Sequence, residues 1–156
     1  MSNVVTRLMP APQQIAWFWA GALVGLYLIE FPVRFSAPEI DYAAAIGMGS
    51  KLFLRLNMAE WGLLGVMVVF GLIARPRLWV WGVIVVIGGI LGYETWVLMP
   101  ELVERAHIIV GAGSPPPSSA HGIYSSLELV KAAALVAIAI GGVRGVSSGS
   151  VGGRRD

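Results

Sequence analysis

Residues 52–99 read LFLRLNMAEWGLLGVMVVFGLIARPRLWVWGVIVVIGGILGYETWVLM, two apolar blocks (52–74 and 78–99) parted only by Arg75-Pro76-Arg77. Each block is long enough to cross a hydrocarbon core of ~30 Å, which takes about 20 helical residues. Both are apolar on even and odd positions alike. A membrane β-strand would alternate in polarity over about 10 residues, so the blocks read as helices, whose backbone N–H and C=O groups are satisfied within the segment. A three-residue turn between two such helices makes an antiparallel hairpin across a bilayer.

The same pattern recurs on either side, at about 14–33 and 122–143. The expected fold is all-α: an integral membrane four-helix bundle forming one domain over 1–145, followed by a disordered Gly/Ser-rich cytoplasmic tail at 146–156. Composition agrees, with 56% hydrophobic and 13% charged residues and a mean hydropathy of +0.75, against roughly 25% charged in soluble proteins. Pro32 is expected to close the first span and Pro100 the third, and Ser118 or Ser119 to cap the fourth. Pro100 to Val110 reads as a short interfacial helix, ahead of Gly111-Ala112-Gly113-Ser114 and the run Pro115 to Pro117. Trp17, Trp19, Trp79, Trp81 and Trp96 fall near block ends, as an interfacial aromatic belt requires.

The chain carries 11 basic residues and a net charge of +2, but they are scattered between apolar blocks, which speaks against nucleic acid as a partner. The bilayer is the expected partner, in a cell (inner) membrane crossed several times. Without cysteine there is no disulfide, thiol nucleophile or Cys-ligated metal. The Trp-rich run from Gln14 ends in no small-residue cleavage site, so the first span reads as an uncleaved helix. Arg7, Arg75, Arg77, Arg144, Arg154 and Arg155 fall on one side of the spans, and Arg34, Lys51, Arg55 and Arg105 on the other. The richer side is expected to be cytoplasmic, giving an N-in, C-in topology with the longer loops, about 34–50 and 101–121, outside.

Every span carries one glutamate: Glu30, Glu60, Glu94 and Glu128. An ionisable group in hydrocarbon costs ~2.5–3.5 kcal/mol on insertion scales, so such groups face partners or cavities. Counted at ~1.5 Å per residue from Arg75, Arg77 and Arg144, the last three lie about 22–26 Å up, in the outer half of the bilayer. The fourth span adds a polar stripe, His121-Tyr124/Ser125-Glu128-Lys131, at helical spacing. Glu60, Glu128, Lys131, Asn57 and Tyr124 are therefore the candidate catalytic residues. Glu30, Glu60, Glu94, Glu104, His107, His121 and Glu128 are the candidate metal ligands, Glu60, Glu128 and His121 at their centre, with a divalent ion as candidate cofactor. Glu101-x-x-Glu104-x-x-His107 contains the Glu-x-x-His pair of di-metal bundles, although those use two such pairs. Gly21-x-x-x-Gly25 and Gly88-x-x-x-Gly92 suit close helix packing within or between protomers. No phosphate loop, nucleotide fingerprint, G-x-S-x-G or H-E-x-x-H pattern occurs.

Gly21, Gly25, Phe31-Pro32, Phe35, Lys51-Leu52-Phe53, Met99-Pro100-Glu101-Leu102 and Pro116-Pro117-Ser118-Ser119-Ala120-His121-Gly122, with Leu127 and Lys131, resemble small bacterial four-helix membrane proteins related to the transmembrane protein 205-like family. The likeness spans most of residues 15–140 and implies a four-helix fold but no chemistry. Three functions fit the sequence: an acid–base or metal-assisted enzyme acting on a lipophilic small molecule, a non-catalytic subunit of a larger membrane complex, and proton or cation transport by a homo-oligomer.

Overall fold

A computed structural model describes residues 12–147. The N-terminal Arg7 and all but the first two residues of the expected tail, with Arg154 and Arg155, lie outside the described residues. Four helices are long and apolar enough to cross a membrane: α1 (Pro12–Ser36), α2 (Tyr42–Ala74), α3 (Leu78–Val110) and α4, whose stretch Ala120–Gly141 is the apolar one and which continues to Ser147. The described residues contain no strand. Packed neighbours are α1/α2, α2/α3, α3/α4 and α4/α1, with the largest contact between α1 and α4. Chain order thus runs around the ring, as short connections between antiparallel helices dictate.

Three expected boundaries move. The second helix begins at Tyr42 and not near residue 52, because Asp41 caps it by accepting a 2.7 Å hydrogen bond from the Ala44 amide and no proline interrupts residues 42–74. The expected outer loop at 34–50 contracts to 37–41. Likewise Pro32 and Pro100 do not end their helices. Each is preceded by a wide π-helical turn, Leu26–Glu30 in α1 and Glu94–Leu98 in α3. The Phe31 amide bonds the Leu26 carbonyl, and the Met99 amide bonds that of Glu94. Proline supplies no N–H and its ring collides with the carbonyl one turn back, and an inserted residue that widens the turn relieves the collision. The expected separate interfacial helix is therefore the outer end of α3.

At the other end, Arg75 adopts a left-handed backbone conformation (φ 49°) and donates its amide to the Gly71 carbonyl. This closes α2 and lets Pro76 start the reversal. Between that turn and mid-bundle the buried core is apolar among the described residues, built on Leu23, Leu64, Met67, Ile87, Leu135 and Ile138. Phe18, Leu28, Val69, Leu72, Val85 and Leu129 point outward, a surface that only lipid or another apolar partner can cover.

Candidate functional site

At mid-bundle the apolar core gives way to a buried charged cluster. Glu60 sits near the middle of α2, Glu94 at the first position of the wide turn of α3, and Glu128 and Lys131 one turn apart on α4. The Lys131 ammonium lies 2.9 Å from both Glu60 carboxylate oxygens, 2.6 Å from Glu94 Oε2 and 3.1 Å from Glu128 Oε1. From α1, the Trp19 indole N–H donates to Glu60 Oε1 at 3.1 Å. All four helices therefore contribute to one polar centre, and none of its charged side chains is more than 1% exposed.

The donor count is short. An ammonium has three N–H groups for four oxygens, so at least one contact is shared, and two further carboxylate oxygens, Glu94 Oε1 and Glu128 Oε2, have no hydrogen-bond partner among the described residues. Nor do Tyr124 Oη, Asn57 Nδ2 and Tyr27 Oη, all buried in the same region. Unpaired buried polar groups cost about 1–3 kcal/mol each and are normally satisfied by water or a bound group. Beside the cluster, the Thr95 hydroxyl accepts from the Trp61 indole at 2.9 Å and reaches the Leu91 carbonyl at 2.6 Å and Asn57 Oδ1 at 3.1 Å.

One oxygen from each of Glu60, Glu94 and Glu128 lies within 4.8 Å of the others, so the three carboxylates can hold a metal ion. In this arrangement the Lys131 ammonium is the cation among them. The remaining candidate ligands lie elsewhere. Glu30 forms an ion pair with Arg34 at 2.8 Å, Glu104 and His107 are on the outer end of α3, and His121 packs its ring 6.3 Å from that of Phe53. Glu94, and not His121, thus joins Glu60 and Glu128 at the centre. Asn57 and Tyr124 border it.

Sequence reasoning missed Trp19, placed in the interfacial belt but fully buried, and Thr95, which carried no signal beyond a hydroxyl one residue from Glu94. It also missed the second buried cation. Arg34 is 5% exposed, donates to the Ala45 carbonyl at 2.8 Å and to Glu30 at 3.3 Å, and lies over the Phe31 and Phe35 rings at 4.9 and 5.0 Å. Gly49 makes room for it, since a Cβ there would collide with the guanidinium.

Beyond the cluster, a cavity of about 390 Å³ opens at the outer end of the bundle, between the ends of all four helices. Phe53 lines it and packs on Tyr124, 5.2 Å between ring centroids, which lies one turn above Glu128. Aromatic packing therefore separates the cavity from the charged centre. No protein-family model, curated protein or solved structure matches this chain.

Proposed function

We propose that the chain is a multi-pass protein of the cell membrane, with both termini cytoplasmic, whose Lys131 cluster is an acid–base centre for a lipophilic small molecule arriving from the bilayer. The observation that carries this reading is the charge imbalance: one ammonium faces three buried carboxylates, a formal charge of 1 − 3 = −2 when all are ionised. Burial of unbalanced charge is costly, so the centre gains stability by taking up two protons or one divalent cation. Carboxyl groups that exchange protons beside an ammonium are equipped to donate to and accept from one substrate. The unpaired Tyr124 and Asn57 donors border the same space and suit a substrate oxygen. The resemblance to the transmembrane protein 205-like family belongs to this proposal and supports its membrane fold alone.

The reading is tested by comparing the lipophilic extracts of cells that lack the protein with those of cells supplied with the native chain or with Glu60→Gln. The amide keeps the shape and the hydrogen bond from Trp19 but cannot exchange a proton. A lipophile that changes with the native chain and not with a folded Glu60→Gln protein is the expected result. Identical profiles for the two proteins would remove the acid–base role.

A second reading, the non-catalytic subunit, has its own observation. A side chain at Gly21 or Gly25 would meet open space, whereas a Cβ at Gly88 would stand 3.5 Å from Leu64 within the protomer, so the small-residue face of α1 remains available to another membrane helix. Transport within one protomer has no comparable support, because the half of the bundle below the cluster is apolar.

A further inference from the structure

The outer cavity differs in character from the buried centre. Its walls are mostly apolar, with Phe31, Phe53, Met99, Leu102 and Val103 among them, and its ionisable lining residues include Arg34, Arg105 and His121. No carboxylate lines it. Arg34 is balanced by Glu30. Arg105 is not: it donates to the Pro116 carbonyl and, among the described residues, has no carboxylate within ion-pair distance. A cation without a counter-charge at the rim of an apolar cavity calls for an anion attached to an apolar body.

Depth supports the same occupant. Counting from Leu78 beside the Arg75–Arg77 turn, Met99 stands ~32 Å and Ile109 ~46 Å along α3 at ~1.5 Å per residue. With the turn at one edge of a hydrocarbon core of ~30 Å, the cavity spans the headgroup layer on the opposite face. A molecule lying there has its polar head at the level of Arg105 and its chain at the level of Phe31, Phe53 and Met99.

We propose that this cavity is a binding site for an amphiphile with an anionic head, carboxylate or phosphate, held by Arg105, with its apolar chain against Phe31, Phe53, Met99 and Leu102. The site does not depend on the acid–base role of the Lys131 cluster, from which Phe53 and Tyr124 separate it.

The test uses the full chain in nanodiscs of phosphatidylcholine with three photoactivatable probes: palmitate, the corresponding alcohol and phosphatidic acid. At least one anionic probe is expected to crosslink to residues 46–53 and 99–106, with the alcohol at least about tenfold weaker, since a charge-assisted hydrogen bond is worth that factor or more. Palmitate alone identifies a free amphiphile, and phosphatidic acid alone a lipid headgroup; both support the site. Arg105→Gln should reduce anionic labelling about tenfold, Arg105→Lys should restore most of it, and Glu60→Gln should leave it unchanged. Equal labelling by alcohol and anions, or undiminished labelling of Arg105→Gln, would overturn the proposal, and labelling lost in Glu60→Gln would overturn the independence of the two sites.

Discussion

Lys131 is the residue on which the interior turns, because its single ammonium offsets carboxylates from three helices within 3.1 Å. Removing one partner of a buried ion pair costs about 3–5 kcal/mol, since the other charge stays behind. Lys131→Met should therefore lose about that much stability to chemical denaturation in detergent, and adding Glu60→Gln, Glu94→Gln and Glu128→Gln should recover most of it by removing the stranded charge whichever carboxylate carries it. A single Lys131→Met protein as stable as the native one would show that the carboxylates are not held ionised by this lysine. The glutamates were legible in the sequence because each stands alone in an apolar span, and Lys131 because it lies one turn beyond Glu128. Glu94 as a central member was not: it continues the buried stripe of Ile87 and Leu91, but those neighbours are apolar, so nothing beside it in the sequence marks a polar centre. Trp19 stayed hidden for a related reason. An indole near a span end fits the interfacial belt equally well, and nothing local distinguishes it from Trp17, which is 50% exposed where Trp19 is fully buried.

At the scale of the element, the two prolines act as turn wideners and not as stops. The helical blocks were legible from hydropathy, but their outer ends were not, since residues 42–51 and 100–110 carry mixed polarity and a proline in a helical pattern ordinarily marks an end. What carries α3 past Pro100 is packing: Leu98 and Met99 are buried against Phe53 and Tyr124. Restoring the missing donor by Pro100→Ala gains at most one hydrogen bond, ~0.5–1.5 kcal/mol. Rewinding the turn would swing the outer end of α3 by ~100° and break those contacts, so the wide turn should persist and stability should change by about 1 kcal/mol or less. Deleting Val97, which is exposed on the outer surface of the bundle, has the opposite consequence. It forces an ordinary winding against the Pro100 ring and should cost ~3 kcal/mol or more. The deletion combined with Pro100→Ala should recover most of that loss. Thermal melts of the three variants check the series, and a deletion as mild as the proline change would refute the role given to the ring.

For the molecule as a whole, two 33-residue helices are each about 50 Å long at ~1.5 Å per residue, well beyond a hydrocarbon core of ~30 Å. The apolar core fills the end near the Arg75–Arg77 turn, while the cavity with Arg34, Arg105 and His121 occupies the other. The molecule is thus asymmetric along its axis: an apolar end bounded by arginines, and a more polar end that, with the turn at one edge of the hydrocarbon, would stand out of it. Positive flanks favour the cytoplasmic side, and Arg75 and Arg77 occupy the tightest turn between spans. That turn is expected inside, with the 111–119 segment and the cavity outside. Cysteines placed singly at Ser114 and Ser148 of this cysteine-free chain test the orientation in intact cells. An impermeant maleimide should label the Ser114 position directly and the Ser148 position only after the cells are opened. Labelling in the reverse order would invert the molecule, place the anion-binding cavity at the cytoplasmic leaflet, and require the amphiphile to arrive from that side.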